Sequence, residues 1–412
     1  MIPENERLKQ LFQHEFAKMV AVISKLYGLE HIETAEDIVS ETFLTASESW
    51  GMKGVPENPT AWLYAVAKQK TLYHFRRQKI YDSKVLPAIK SGETEAIMEE
   101  PDFSPQHIRD SQLQMLFAIC NPAIAGEAQV GLALRILCGF GIDEIAEAFM
   151  SNKETINKRL FRAKEKLREE KISLEFPPEA VLPERLRNVL HIIYLLFNEG
   201  YYSKTQDVIL QKELCVEALK LGLLLTEYDK TNLPETNALI ALMCFHASRF
   251  DARQNENENL VLYDQQDESL WDANLIHQGI HYLQIAATGQ YLSSYHIEAR
   301  IASLHCIKSD TKEKWQEILQ LYDQLLSINF SSSVALNRLY ALYKVSGASA
   351  ALQPALELNL SRNHFYWILL GELYTQLDAT RAAESFENAL ALAKTVTEQQ
   401  GIREKIRRLE KK

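Results

Sequence analysis

Residues 141–168 read GIDEIAEAFMSNKETINKRLFRAKEKLR, and the way this stretch folds decides how the rest of the chain is understood. Ile145, Ala146 and Phe149 recur at helical spacing, Met150-Ser151-Asn152 interrupts, and Ile156, Leu160, Ala163 and Leu167 then recur at steps of four and three. Two short helices meeting at a tight turn are predicted, with Asn152 as N-cap of the second and Glu154 in its first turn. The exposed side of that second helix is expected to carry Lys153, Lys158, Arg159, Arg162, Lys164, Lys166 and Arg168. A narrow apolar stripe backed by long cationic side chains is what a helix lying in a DNA major groove needs. A solvated charged helix has the same pattern, so the stretch alone leaves both readings open. Small Ala146 favours close helix crossing, whereas Met150 stands where such turns often place glycine.

Working outward, a chain of 412 residues exceeds one core, and 15 glycines and 12 prolines are few enough to expect helix nearly throughout. The net charge of −10 is distributed unevenly. Residues 62–84 hold six Lys or Arg against one Asp, and residues 152–171 hold eight against four acids. Between them, Glu93, Glu95, Glu99, Glu100, Asp102 and Asp110 face Arg109 alone. Five scattered cysteines suit reduced, buried thiols, and neither a signal peptide nor a membrane-length apolar run is visible, so a cytoplasmic protein is expected.

Residues 6–27 are predicted as a helix striped by Leu8, Leu11, Phe12, Phe16, Met19, Val20 and Ile23. A second is expected to start near Thr34, with Ile38, Val39, Phe43 and Leu44 inside and Glu36, Asp37, Ser40, Glu41 and Thr42 on an acidic face, before a break over residues 51–59. The third, NPTAWLYAVAKQKTLYHFRRQK, interleaves aromatic and cationic residues. Its helical phase buries Trp62 and Phe75 and leaves Tyr73 and His74 for unstacked bases, with Lys68, Lys70, Arg76 and Arg77 for phosphates. Prolines and acids make residues 81–110 an extended linker, after which helix resumes at Ser111 and runs again over residues 128–138.

This order of segments, AEDIVSETFL, then PTAWLYAVAKQKTLYHFRR, an acidic linker and GIDEIAEAFMSNKETINKRLFRAKEKL, resembles a bacterial sigma factor of the extracytoplasmic-function class over residues 1–170. The resemblance implies an all-α protein with two small helical domains, 1–82 and 111–172, joined by an acidic linker, 83–110. It implies that Asp37, Ile38, Glu41, Thr42 and Phe43 dock on core RNA polymerase. Lys68, Lys70, Tyr73, His74, Arg76 and Arg77 would then melt and hold the minus-ten element, although the family's usual Arg-Asn pair reads Lys68-Gln69 here. Lys153, Thr155, Asn157, Lys158, Arg159 and Arg162 would bind the minus-35 element. The implied partners are core polymerase and promoter DNA, both duplex and melted.

Residues 176–412 exceed a minimal sigma factor and resemble the group with a helical, tetratricopeptide-like extension, for which a regulatory role and a protein or small-molecule partner are expected. Trp367, Leu370, Gly371 and Tyr374, followed by Ala382, Phe386 and Ala389, carry a degenerate repeat signal, and residues 315–326 with 335–345 form a weaker helix pair. His277 and His281 stand four apart, but Gln278 occupies the position of a zincin glutamate, so no metal is expected. The acids Asp264, Asp267, Glu268 and Asp272 lack a calcium-loop pattern, and no phosphate loop, nucleophile elbow or CxxC is present. No cofactor or catalysis is expected. A stand-alone helix-turn-helix regulator and a repeat scaffold remain the alternative classes.

Overall fold

The computed structural model describes residues 4–85, 99–149, 151–201, 208–253, 261, 263, 266–328, 330–393 and 396–410. Regular structure among them is helical, and the chain divides into two units, residues 1–199 and 200–412.

The first unit is built around α1 (Glu4–Tyr27). A single apolar stripe was expected of it, but Phe16, Ala17, Met19, Val20, Ala21, Val22 and Ile23 are all buried. A helix covered over most of its circumference needs neighbours on several sides. On α1 these are α2 (Ile32–Lys53) and α3 (Pro59–Val85), with α4 (Pro105–Ile119) and the Ala133–Leu137 turn. The segments expected to form two sigma domains therefore share one core.

Local signals account for several differences from the predicted boundaries. Helix α2 starts at Ile32, where a 3-10 turn over Leu29–His31 feeds it directly, so Thr34 lies within the helix and caps nothing. It also runs through Gly51 to Lys53 and stops at Gly54, whose φ of 81° is the left-handed conformation glycine adopts readily. Residues 81–85 extend α3, and residues 105–110 already belong to α4, because Pro105 at its first turn starts a helix without losing a needed N–H. Glu93, Glu95 and Met150 lie outside the described residues.

Beyond α4, α5 (Gly126–Leu132) passes into a π-helical turn, Ala133–Leu137, in which the Cys138 N–H reaches back five residues to the Ala133 carbonyl at 3.1 Å. The short helix α6 (Ile142–Ala148) is capped by Glu144, which accepts from the Gly141 N–H at 2.6 Å, and α7 (Lys153–Glu169) follows. Helix α8 (Leu182–Tyr201) then packs onto α4: Asn188 donates to the Cys120 carbonyl at 2.6 Å, and Arg185 to that of Phe117.

The second unit runs from α9 (Val208–Thr226), α10 (Pro234–Ala247), α11 (Ala273–Ala286) and α12 (Ser294–Leu304) through α13 (Lys312–Ile328), α14 (Ser332–Ser346) and α15 (Ala348–Leu358). It ends with α16 (His364–Tyr374), α17 (Ala379–Leu392) and α18 (Val396–Glu410). Consecutive helices pack against one another in sequence order, and α10 also packs on α12. Gly371 of α16 lies so close to α17 that a Cβ there would fall 2.5 Å from the Phe386 ring. Gly371→Ala gains about 1 kcal/mol of helix propensity. Overlap with a buried aromatic ring outweighs it, so a net loss of about 1–2 kcal/mol is expected, read as a lower urea midpoint of the full chain by circular dichroism.

His277 and His281 are exposed on α11, and no group of three or more His, Cys, Asp or Glu capable of holding a metal occurs among the described residues. The cysteines are free thiols, and no described helix is long and apolar enough to cross a membrane.

Candidate nucleic-acid interface

Helix α7 owes its position to the predicted stripe: Ile156, Leu160, Ala163 and Leu167 are all buried, and the Asn152 side chain accepts from the Thr155 N–H at 2.8 Å. Opposite this stripe, Lys153, Thr155, Asn157, Lys158 and Arg162 are exposed together. Lys158 is held by Glu154 at 2.6 Å and Lys153 by Asp143 at 2.6 Å, both pairs solvent-exposed. Arg162 has no ion pair among the described residues. Arg159 is half-buried, 3.1 Å from Glu127 and 5.4 Å from the Phe149 ring centroid, so it lies at the edge of the face. Phe161, 57% exposed amid these cations, was not singled out from the sequence; its phase outside the buried stripe was the available signal. An apolar ring there suits contact with thymine methyls.

Two cations expected on this face turn inward instead. Lys164 lies one turn from Leu160 and thus near the buried phase, and its ammonium binds Glu36 of α2. Arg168 is 3.3 Å from Glu33 and also pairs with Glu165.

Glu36 is the centre of this arrangement. It was expected on an acidic surface, yet it is 5% exposed, because it stands in the same helical phase as Val39 and Phe43. The carboxylate accepts from Arg135 Nε at 2.9 Å and from Lys164, so both oxygens are used. Arg135 reaches it from the π-helical turn while also donating to the Phe140 carbonyl at 3.1 Å. A carboxylate this buried is stable only with such partners.

On α3, exposure divides the aromatics as helical phase predicts. Phe75 is buried and stacked on Tyr27 with centroids 3.6 Å apart, while Tyr73 (67% exposed), His74, Arg76 and Arg77 face solvent. Trp62 is only half-buried, edge-on to Trp50 at 5.4 Å. The described end of the acidic segment lies against this helix. Glu100 pairs with Lys68, and Phe103 stacks on Tyr64 at 4.7 Å. Lys70 lies 3.4 Å from Glu41 of α2. Lys68, on which a phosphate was expected, therefore holds a carboxylate from its own chain.

On α2, Ile38, Thr42 and Phe43 are core residues: Thr42 donates to the Ile38 carbonyl at 2.8 Å, and Phe43 packs edge-on to Phe12. Asp37 and Glu41 are exposed, as is Leu44, which helical phase had assigned to the interior. The exposed set on this helix is thus Asp37, Glu41 and Leu44, with Ile38, Thr42 and Phe43 supporting it from beneath.

Residues 11–80, spanning most of α1 to α3, match the family described as Sigma-70 region 2, and residues 185–287 match a family of unknown function (DUF6596). An uncharacterized protein of Rhizobium meliloti (strain 1021) is 33% identical over 396 residues, covering 94% of this chain and 92% of its own. No solved structure matches the chain. The aromatic and basic row on α3 thus lies within a sigma-type domain, the class of protein that acts in transcription initiation. The chain therefore carries a Sigma-70 region 2 domain near its N-terminus and a separate C-terminal domain of the DUF6596 family, and it is related over nearly its whole length to the Rhizobium protein. Region 2 implies binding to core RNA polymerase and to promoter DNA, in a family that is not enzymatic.

Proposed function

We propose that the chain is an extracytoplasmic-function sigma factor. Residues 1–82 dock on core polymerase and hold the melted minus-ten strand, residues 83–110 form an acidic linker, and residues 111–172 read the minus-35 duplex. Residues 176–412 form a tetratricopeptide-like extension that regulates the factor in the cytoplasm. The observation that carries this reading is the solvent-facing row Tyr73, His74, Arg76 and Arg77 inside a Sigma-70 region 2 match. Polymerase docking uses Asp37, Glu41 and Leu44, seated on Ile38, Thr42 and Phe43. Duplex binding uses Lys153, Thr155, Asn157, Lys158, Arg159 and Arg162, while Lys68 and Lys70 serve the melted strand once their carboxylate partners yield.

The packing of the first unit fits a resting form. Elements named for positions ten and 35 base pairs upstream lie about 25 base pairs, or roughly 85 Å, apart along a duplex. Glu36 meanwhile ties α2 directly to α7. Promoter binding therefore requires this ion-pair centre to open, and polymerase docking on α2 is the step placed to open it.

Reconstitution with core polymerase, followed by sequencing of the transcripts, tests the reading; failure to initiate from any promoter sinks it. For the extension, the informative truncation retains residues 1–199, since α8 packs with the first unit. Unchanged promoter choice, activity and regulation in that truncation would remove the regulatory role. Tyr73→Ala is expected to lower open-complex formation about 5- to 100-fold, the worth of one stacked base, while duplex minus-35 binding is unchanged. Permanganate footprinting reads the difference.

A further inference from the structure

The second unit buries positive charge that its described residues do not neutralise. Arg249, just after α10, is 8% exposed, and its Nε is buried without a hydrogen-bond partner. Among the described residues its guanidinium makes no hydrogen bond and no ion pair, and it lies 5.6 Å from the centroid of the Tyr263 ring. Lys314, in the first turn of α13, is 7% exposed and lies 5.3 Å from the centroid of the same ring. Its ammonium donates to the Tyr263 hydroxyl at 3.0 Å and to the Ile307 carbonyl, both neutral acceptors.

The described carboxylates nearby do not balance this pair. Asp310 acts on Lys314 through space, but its oxygens are engaged by Lys344 and the Trp315 indole. Asp251 is bound to Lys212. The surrounding histidines register the same positive field. Burial, then Arg249 and Lys314, push His305 down to about 3, and burial with Arg249, Arg253 and His305 pushes His246 well below its usual range. Lys314 is itself lowered, by burial first and by Arg249 and Lys344, against the opposing pull of Asp310.

A largely buried guanidinium whose Nε–H has no acceptor is costly, and native structures resolve such groups with a partner. The free donors indicate what that partner is. Arg249 offers a planar fork, and Lys314 retains one N–H beyond the two in use. Around them stand the rings of Tyr263, His305 and Trp315, with His305 edge-on to Tyr263 at 5.1 Å and to Trp315 at 5.8 Å. The Trp271 indole N–H, stacked beyond Tyr263, is also buried without an acceptor.

We propose that this unit contains a binding site for a small oxyanion, the phosphate or carboxylate group of a low-molecular-weight ligand, held between Arg249 and Lys314 against the Tyr263 ring. The site stands on these residues whether or not the extension regulates transcription.

The test is thermal unfolding and titration calorimetry of the full chain with inorganic phosphate and, separately, succinate, each against sodium chloride at matched ionic strength. A saturable rise with at least one oxyanion, about 5 °C at one hundred times its dissociation constant, and one site per chain are expected. A response to phosphate alone assigns a phosphate ligand, and a response to succinate alone a carboxylate. Arg249→Met and Lys314→Met should each abolish the rise, whereas Arg362→Gln, on an exposed residue of the same unit, should keep it. In oxyanion-free buffer Arg249→Met should melt no lower than the parent, because it removes an uncompensated buried charge. Equal responses to oxyanions and chloride would overturn the proposal. So would an undiminished response in Arg249→Met, or a lowered melting temperature of that variant without oxyanion. Should either variant fail to fold, absence of saturable binding to the parent chain alone decides against the site.

Discussion

Replacing Glu36 by Gln is expected to separate α2 from the helix-turn-helix. The carboxylate is almost wholly enclosed, and its two partners, Arg135 and Lys164, are themselves largely covered, with side chains 22% and 12% exposed. Removing the negative charge leaves two cations facing a neutral amide, and breaking a buried pair from one side typically costs about 3–5 kcal/mol. The loss falls on the packing between α2 and α7, so spin labels at Ser47 and Asn157, both exposed, should show a broadened and longer distance distribution. If the packed form is the resting one, promoter affinity of the free factor rises with the same substitution. Replacing Glu36, Arg135 and Lys164 together by Met should restore much of the stability, since a well-packed apolar set avoids the desolvation of three charges. An unchanged distance distribution in Glu36→Gln would show that the centre does not hold the two parts together.

The second large effect is expected from Lys158→Ala combined with Arg162→Ala. Lys158 engages Glu154 in an exposed pair of the kind worth under about 1 kcal/mol, and Arg162 is exposed without an ion pair among the described residues. Both are therefore available to phosphates at little cost. Each lost phosphate contact lowers the slope of log affinity against log salt by about 0.9, so the double variant should lose close to two units of slope. Affinity for a minus-35 duplex should fall about 10- to 100-fold at low salt and by less at high salt. Fluorescence anisotropy across a salt series measures both, and an unaltered slope would place the duplex elsewhere.

The sequence carried the helix-turn-helix well because its determinants are local. The stripe from Ile156 to Leu167 and the Asn152 cap lie within one helix, and the structure keeps both. Phase likewise separated Phe75 from Tyr73 and His74 on α3. Glu36 escaped because its partners lie 99 and 128 residues away, although an acid in phase with Val39 and Phe43 was a readable sign that counter-charges must exist. The burial of Phe16, Ala17 and Met19 to Ile23 had a sign in the nearly unbroken apolar run over those residues, although a single stripe was expected. No spacing in the sequence joins Arg249 to Lys314; only the turn after α10 and the start of α13, both beside Tyr263, bring them to one ring.

The π-helical turn at Ala133–Leu137 amounts to one residue more than an α-helix would use over the same rise. Because that turn already absorbs a surplus residue, deleting one inside it leaves an α-helix of nearly the same rise, whereas deleting one from α5, which has no surplus, would rotate everything downstream by about 100° and re-aim the helix-turn-helix. The hold on Glu36 thus depends on chain length as well as on charge. A one-residue deletion in α5 should release α7 from α2 with every titratable group of the ion-pair centre intact, something no change of pH or salt could imitate.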